Sequence, residues 1–286
     1  MSRISRLLTL DRVDDDHFRA HPAAAGPTRV FGGQLAAQAL MAAGLTVADD
    51  RVAHSLHCYF HAPGDPVAGI DYLVTTIRDG RSFSGRRVEA RQGDRVIFSV
   101  MASFQRPTPG QLEHRPESAD VRPPEESPPP DAASVVISET ARAWFAGLGR
   151  RHPIEFRLVE GAPFDPRRTS VPRMWMRLKE SLGADVLAHA AAAAYASDQL
   201  LLGAAAFRHG IEVGDPGLVG ASLDHAVWFH ESFRTDEWFL YEVDSAWAAG
   251  GRALSTGRIF DRSGRLVVSA AQEGVMRPVT ATADQV

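Results

Sequence analysis

Runs rich in β-branched and aromatic residues recur along the chain and form two groups of four predicted strands. The first group comprises residues 54–60, 71–77, 83–90 and 95–104. The second group comprises residues 221–229, 238–245, 253–260 and 265–272. A glycine-containing turn precedes the last strand of each group, at Gly93-Asp94 and at Asp261-Arg262-Ser263-Gly264, so these strands are expected to pair as hairpins.

Each group of strands follows a segment that favours a helix. In the first half the helix is predicted over residues 31–40, where Gly32 and Gly33 leave the first backbone N–H groups open and good helix formers follow. In the second half it is predicted to begin at Ser197-Asp198 and to continue through Phe207. One helix followed by several antiparallel strands predicts an α+β fold in which a sheet wraps a helix.

The two halves resemble each other, and the register of the resemblance can be measured at three anchors. Gln34-Leu35 recurs 165 positions later as Gln199-Leu200, Phe60-His61 recurs 169 later as Phe229-His230, and Arg95-Val96 recurs 170 later as Arg265-Leu266. The small drift falls in loops, where insertions are tolerated. The sequence therefore predicts a duplicated α+β fold rather than a chance likeness of two halves.

A stretch rich in proline, glutamate and serine separates the halves. It runs from Arg106 to about Ala133 and is typical of an extended linker, because it buries too little apolar surface to offset the entropy lost on ordering. We therefore expect an N-terminal domain over residues 1–105, a linker over 106–140 and a C-terminal domain over 141–286. Two domains are also what a chain of 286 residues predicts.

The repeat singles out three polar residues of the second half, because each aligns with a small residue of the first. The aligned pairs are Asp198 with Gly33, Ser222 with Ala53, and Gln272 with Ala102. Taken singly, the aspartate fits a helix cap, the serine a strand edge and the glutamine an exposed position. Taken together they come from three separate elements, which is typical of a catalytic site assembled by folding.

Composition narrows the class of protein. A formal net charge of −4 gives a nucleic-acid partner no electrostatic support. The single cysteine, Cys58, lies in an apolar strand and is predicted to be a buried structural thiol, which fits a reducing compartment. The longest apolar tract, residues 186–196, is too short for stable membrane insertion, and no targeting segment is apparent, so we expect a cytoplasmic protein.

Several motifs resemble the acyl-CoA thioesterase II family, and the resemblance extends from about Leu8 to Arg277. In the first half they are Val30-Phe31-Gly32-Gly33-Gln34, His54-Ser55-Leu56-His57-Cys58-Tyr59-Phe60, Pro63-Gly64-Asp65 and Arg78-Asp79-Gly80-Arg81-Ser82-Phe83. In the second half they are Tyr195-Ala196-Ser197-Asp198, Leu223-Asp224-His225, Trp228-Phe229-His230 and Gln272-Glu273-Gly274-Val275-Met276-Arg277.

The resemblance implies a tandem (double) hotdog fold, hydrolysis of fatty acyl-CoA to a free fatty acid and CoA, and assembly into a homodimer or larger homo-oligomer. The family's catalytic aspartate, serine or threonine, and glutamine fall on Asp198, Ser222 and Gln272. We expect these side chains to activate water without a metal or organic cofactor. Backbone N–H groups near Gly32 and Gly33 are candidates for polarising the thioester carbonyl, and His54 is a further candidate near the substrate.

Two other functions remain open from the sequence. A hotdog hydratase or dehydratase needs a histidine paired with an acidic residue on the central helix, and neither predicted helix start supplies that pair. A non-catalytic acyl-CoA-binding or regulatory protein would use the same scaffold without turnover, and the fold alone does not exclude it. The chain contains neither the Gly-x-Ser-x-Gly sequence of α/β-hydrolases nor a Gly-x-x-x-x-Gly-Lys-Ser/Thr phosphate-binding loop.

Overall fold

The computed structural model describes residues 3–22, 28–108, 110, 112–116, 121–160 and 172–279. The helices in these ranges are α1 (Arg3–Leu8), α2 (Gly32–Gly44), α3 (Glu139–Arg151), α4 (Val186–Ser197) and α5 (Gly203–Arg208). The strands of the first half are β1 (Asp11–Arg12), β2 (His17–Ala20), β3 (Val52–Phe60), β4 (Ile70–Asp79), β5 (Phe83–Gln92) and β6 (Arg95–Gln105). Those of the second half are β7 (Ile154–Leu158), β8 (Arg173–Leu178), β9 (Leu218–Ser222), β10 (Asp224–Phe229), β11 (Phe239–Ala249), β12 (Arg252–Phe260) and β13 (Leu266–Pro278).

The strands form one antiparallel sheet to which both halves contribute. Their order is β1-β2-β4-β5-β6-β3-β10-β13-β12-β11-β8-β7, and β9 pairs with β13 beside this path. The halves join where β3 pairs with β10, with Leu56 opposite Val227. The predicted duplicated α+β fold is therefore confirmed, and its two sheets are continuous with each other across this junction.

The predicted strands agree with the structure because their side chains alternate between a buried and a more exposed face. In β12, for example, burial alternates from Ala253 to Ile259. One prediction needs correction: residues 221–229 are two strands, not one. The strand is interrupted by a bend at Leu223. As a result β9 pairs only with β13, whereas β10 pairs with both β13 and β3.

The predicted helix over residues 197–207 is wrong at its start: residues 198–202 form a turn, and only α5, from Gly203, is helical there. The central helix of the second half is α4, which ends at Ser197, and Asp198 is its C-cap residue. The side chain of Asp185 caps the other end by accepting a hydrogen bond from the N–H of Ala188. The alanine-rich run of α4 is a strong helix former, but it is apolar on all sides and so lacks the amphipathic pattern of a surface helix.

This correction changes the alignment of the two halves at the helix. The C-cap residue of α2 is Leu45, so Leu45 rather than Gly33 occupies the position that corresponds to Asp198. After Asp198 the chain turns sharply through Leu200, which has a φ of 64° and is the only non-glycine residue with positive φ in the described ranges. Such a conformation is costly for a leucine and marks a constrained segment.

Helices α2 and α4 pack side by side in opposite directions, each covered by the sheet. The N–H of Gly33, at the start of α2, lies 2.7 Å from a carboxylate oxygen of Asp198 at the end of α4. At the other end of the pair, a Cβ on Gly44 would lie 2.5 Å from the side chain of Leu187. Small residues along both helices permit this close approach.

The C-terminal part of the predicted linker contacts the second half. The indole N–H of Trp175 donates a hydrogen bond to the carbonyl of Arg122 at 2.8 Å, and the N–H of Leu158 donates to the carbonyl of Pro128 at 2.9 Å. Val135 is buried in the core, and Ser138 caps α3. The domain limits at residues 105 and 140 stay predictions.

Candidate active site

The carboxylate of Asp198 is held by donors from both halves of the chain. The backbone N–H of Gly33 donates to Oδ2 at 2.7 Å, and Nε2 of Gln272 donates to Oδ1 at 2.5 Å. Gly33 is available because the N-cap residue of α2, Phe31, provides no side-chain hydrogen bond to the first turn. The positive end of the α2 dipole therefore faces a carboxylate, an arrangement that stabilises negative charge.

Glycine is required at the start of α2 for the carboxylate to approach. A Cβ on Gly32 would lie 2.8 Å from Oδ2 of Asp198 and 3.0 Å from the ring of Phe60. A Cβ on Gly33 would lie 2.5 Å from the ring of Phe31 and 2.6 Å from the carbonyl oxygen of Tyr195. The sequence drew attention to these glycines as candidate substrate-binding residues, and the structure places both of them beside Asp198.

The two N–H groups at this helix start differ in their availability. The N–H of Gly33 is engaged by Asp198, whereas that of Gly32 has no hydrogen-bond partner among the described residues. A free backbone donor beside a carboxylate is suited to binding a carbonyl oxygen on which negative charge develops.

Burial shifts the protonation equilibrium of Asp198. The apolar surroundings raise the pKa of this carboxyl to about 6, against the lowering effects of the Gln272 and Gly33 hydrogen bonds and the charge of Arg29. The side chain is therefore ionised at neutral pH, yet it is more basic than an exposed aspartate. This combination suits a group that accepts a proton from water near neutral pH.

Gln272 is almost completely buried on β13, and only the nitrogen of its side-chain amide is hydrogen-bonded within the described residues. Its Nε2 donates to Asp198 and lies 3.4 Å from Nδ1 of His225, whereas its Oε1 is buried without a hydrogen-bond partner in the described residues. An unsatisfied buried acceptor costs about 1–3 kcal/mol. The amide oxygen is therefore a place where a donor such as a water molecule would be stabilised.

Ser222 lies beside this pair but does not bond to it. It ends β9 and pairs with Gly274, two residues beyond Gln272 on the same face of β13. Its side chain makes no hydrogen bond to another described residue. The sheet register supports its alignment with Ala53, because Ala53 pairs with Phe104, two residues beyond Ala102 on β6.

His54 lies on the other side of the sheet. Its Nε2 is 2.8 Å from the hydroxyl of Ser103, and its ring meets Phe83 edge-on at 5.6 Å. Ser103 alternates with Ala102, which faces the helices, so Ser103 and His54 face outward. Burial lowers the pKa of His54. The structure therefore does not bring His54 together with Asp198 and Gln272.

Sequence reasoning missed one buried neighbour of the site, His225. Its Nε2 lies 2.9 Å from the hydroxyl of Ser197, and its Nδ1 faces the Gln272 amide. Burial lowers the pKa of His225 to about 4, so the ring is neutral at neutral pH. Its carbonyl accepts a hydrogen bond from Cys58 Sγ at 3.1 Å, which confirms Cys58 as a buried thiol. The motif Leu223-Asp224-His225 contains this residue, but the sequence does not show that its side chain is buried against Ser197 and Gln272.

Comparison with known proteins identifies the family. The models of the acyl-CoA thioesterase N-terminal domain and C-terminal domain match residues 20–105 and 119–276. The chain belongs to the acyl-CoA thioesterase family. Acyl-coenzyme A thioesterase 8 of Rattus norvegicus is 39% identical over 96% of this chain and 88% of the relative. Acyl-CoA thioesterase 2 of Haemophilus influenzae is 34% identical over 97% of this chain and 98% of the relative.

Solved structures agree with this assignment. An acyl-CoA thioesterase II from Mycobacterium marinum has 36% identity and a TM-score of 0.80, over 98% of this chain and 100% of that one. A protein described as having a hot dog fold, from Alicyclobacillus acidocaldarius, has 20% identity and a TM-score of 0.77 over 97% of this chain and 98% of that one, a likeness of fold alone. The predicted tandem hotdog fold, the family and the thioesterase enzyme class are confirmed.

A sizeable cavity of this thioesterase lies away from Asp198. It has a volume of about 640 Å³ and opens at the opposite end of the α2/α4 pair, about 16 Å along the helices. Its apolar lining includes Val47, Ala53, Phe104, Leu187, Phe229 and Phe233. Volume alone would favour this cavity as the active site, so its polar groups decide the question.

Two of the acidic residues and histidines at this cavity, Asp185 and His189, belong to α4 and its N-cap, and both are engaged in structural hydrogen bonds. Nδ1 of His189 accepts from the N–H of Thr235 at 3.2 Å, and its Nε2 lies 3.1 Å from the carbonyl of Gly183. Asp185 caps α4. The correction of the helix start thus reveals an acidic residue and a histidine one turn apart on the central helix, but neither is free for acid–base chemistry. We therefore place the candidate active site at Asp198.

None of the helices in the described ranges is both long and apolar enough to cross a membrane. The described residues also contain no cluster of three or more histidine, cysteine, aspartate or glutamate side chains placed to hold a metal ion.

Proposed function

We propose that this thioesterase hydrolyses fatty acyl-CoA to a free fatty acid and CoA, with Asp198 as the general base. The observation that carries the proposal is the Asp198 carboxylate itself, which has a pKa of about 6 and is held by Gly33 and Gln272 beside the open amide oxygen of Gln272. The substrate class is inferred from the relatives, whose names include acyl-CoA thioesterases of mammals and bacteria.

The reaction follows from these positions. A water molecule donates one hydrogen bond to Oε1 of Gln272 and gives a proton to Asp198 as its oxygen attacks the thioester carbonyl carbon. The N–H of Gly32 donates to the carbonyl oxygen as it becomes negatively charged. The tetrahedral intermediate collapses with cleavage of the C–S bond, and the leaving CoA thiolate takes the proton from Asp198. Base assistance of this type contributes about 10²–10⁴-fold to the rate.

We assign Ser222 to the same water molecule. Its hydroxyl lies on the strand next to Gln272, on the face that carries the amide, and has no other hydrogen-bond partner among the described residues. A hydroxyl can both donate and accept, so Ser222 can orient the lone pairs of the attacking water. His54 has no part in this mechanism, because it lies on the outer face of the sheet.

The test of the proposed activity is thiol release from a panel of acyl-CoA thioesters from acetyl to palmitoyl. Multiple turnovers on at least one chain length are expected from the wild-type protein. The alternative, a non-catalytic acyl-CoA-binding protein, predicts stoichiometric binding of the same thioesters without thiol release. That outcome, obtained with folded protein, would reject the enzymatic proposal.

We also propose that the chain assembles into a homodimer or a larger homo-oligomer in the cytoplasm. Tyr59, Met101 and Trp228 are exposed on the outer face of β3, β6 and β10, where the two halves join. Exposed apolar patches of this kind are typical of protein–protein contacts. Size-exclusion chromatography with light scattering measures the mass of the assembly. The mass of a monomer at micromolar concentration would contradict the proposal.

A further inference from the structure

We propose that His225 is a positioning residue that fixes the orientation of the Gln272 amide, so that its oxygen is left for the attacking water. The inference rests on the proposed function of Gln272. The described side-chain hydrogen bonds of His225 are to Ser197 and Gln272, and none of them goes to Asp198.

The hydroxyl of Ser197 determines which nitrogen of His225 carries the proton. Ser197 donates its only hydroxyl proton to the carbonyl of Ala194 at 3.0 Å, the acceptor three residues earlier in α4. Towards His225 Nε2, at 2.9 Å, the same oxygen can therefore only accept. The ring is neutral, because burial lowers its pKa to about 4. Nε2 thus carries the single proton, and Nδ1 presents a lone pair.

The lone pair on Nδ1 in turn determines the orientation of Gln272. Nδ1 faces the Gln272 nitrogen at 3.4 Å, and the second proton of that nitrogen goes to Asp198 at 2.5 Å. Rotation of the amide by half a turn would place its oxygen against both a lone pair and a carboxylate. Ser197, His225 and Asp198 therefore all select the same orientation, in which Oε1 has no protein partner.

The positioning depends on rigid surroundings. Ser197 and His225 are both essentially inaccessible to solvent. The carbonyl of Ser197 accepts a hydrogen bond from the hydroxyl of Tyr241 at 2.5 Å, which fixes the end of α4 against β11. The carbonyl of His225 accepts from Cys58, on the neighbouring strand of the other half. Three titratable groups bind the residues around the ring: Asp198 binds Gln272, Tyr241 binds Ser197, and Cys58 binds the His225 carbonyl. Burial raises the pKa of all three.

Two substitutions separate positioning from packing, because each retains one end of the imidazole. In His225→Asn the side-chain oxygen takes the place of Nδ1 and can still accept from Gln272. In His225→Gln the terminal group takes the place of Nε2, so the contact with Ser197 is kept and the acceptor for Gln272 is lost. His209→Gln, at an exposed histidine after α5, is the control and should leave kcat unchanged.

The expected results are a kcat close to that of wild type for His225→Asn and about 10²-fold lower for His225→Gln, with little change in KM. Because the Gln272 hydrogen bond lowers the pKa of Asp198, the pH of half-maximal rate should also rise in His225→Gln. A packing defect alone would affect both variants and would not move this pH. Equal losses in the two variants, with an unchanged pH profile, would overturn the inference.

A double-mutant cycle with Gln272→Ala distinguishes this inference from the proposed function. If His225 acts through Gln272, His225→Gln should add little to the loss already caused by Gln272→Ala. Full additivity would reject the positioning role. If Gln272→Ala itself retains wild-type kcat, the proposed function of Gln272 fails instead. If His225→Gln does not fold, Ser197→Ala is a second variant. It removes the acceptor that keeps the proton of His225 on Nε2, and it should also lower kcat.

Discussion

The N–H of Gly33 donates a hydrogen bond to the carboxylate of Asp198 at 2.7 Å, across the interface between the two halves of the chain. Gly33 lies in the first turn of α2 and Asp198 caps the end of α4, so the antiparallel packing of these helices creates the contact. The candidate site therefore belongs to neither repeat alone: the second half supplies the proposed base, and the first half supplies a backbone donor that binds it.

The Asp198 carboxylate lies so close to Gly32 that one added methyl group is predicted to lower activity. Gly32→Ala would place a Cβ 2.8 Å from Oδ2 of Asp198, so the carboxylate must move and its bond to Gly33 must weaken. We expect kcat/KM to fall by about 10²-fold, the loss associated with one displaced catalytic hydrogen bond.

The matched control for this prediction is Gly85→Ala, whose Cβ would meet its nearest neighbour, Ile77, at an ordinary 3.7 Å. Steady-state kinetics on both variants, with circular dichroism to confirm folding, checks the comparison. Equal activity of the two alanine variants would show that the approach at Gly32 is not needed for catalysis.

The shifted pKa of Asp198 predicts the pH dependence of the reaction. The base must be ionised to accept a proton, and its pKa is about 6. Rates should therefore rise with pH to a plateau, with half of the plateau value of kcat/KM near pH 6. His225 has a pKa of about 4 and should not contribute above pH 5. A half-maximal pH near that of an exposed aspartate, about 4, would contradict this description of the site.

The same shift predicts that Asp198 lowers the stability of the protein at neutral pH. Its pKa is about 6 in the folded chain and about 3.9 when unfolded, so its protonation favours folding below pH 4 and that contribution is lost as pH rises through 6. Asp198→Asn removes the buried charge but also loses one hydrogen bond, which offsets part of the gain. The free energy of unfolding at pH 7 should therefore rise by about 1–2 kcal/mol.

Denaturant titrations of wild type and Asp198→Asn at several pH values check the stability prediction. The difference between the two proteins should shrink on going from pH 7 to pH 4, since the wild-type carboxyl is then protonated as well. An Asn variant that is less stable than wild type at pH 7 would mean that the carboxylate is better solvated than its burial indicates.

Transfer of labelled oxygen to Asp198 would reveal direct attack by its carboxylate in place of water activation. In a single turnover in water labelled with heavy oxygen, general-base catalysis places the label in the released fatty acid. Nucleophilic attack would instead form an anhydride, and its hydrolysis could place the label in Asp198. Mass spectrometry of the peptide that contains Asp198 should show no label, because both carboxylate oxygens are engaged by Gly33 and Gln272.

Much of this fold could be predicted from the sequence because strand alternation is a local signal. The same regularity supports the alignment of Ser222 with Ala53 and of Gln272 with Ala102, both of which the sheet register reproduces. The α4 helix could not be located in this way, because an alanine-rich segment buried on every side has no amphipathic period.

Asp198 was selected from the sequence through an alignment with Gly33 that the structure corrects. The two residues are partners in a hydrogen bond, not equivalent positions of the repeat. Their contact depends on how two distant helix ends meet, and no local pattern encodes that meeting. His225 was missed for a related reason: its importance comes from Ser197 and Gln272, which lie 28 and 47 residues away in the chain.

The most direct test of Asp198 as the general base is thiol release by Asp198→Asn, compared with wild type on the acyl-CoA that wild type turns over fastest. Asparagine keeps the size of the side chain but cannot take a proton from water. We expect a folded variant whose kcat is lower by about 10²–10⁴-fold at pH 8, with substrate binding retained. A folded variant with wild-type kcat would contradict the assignment of Asp198 as the base.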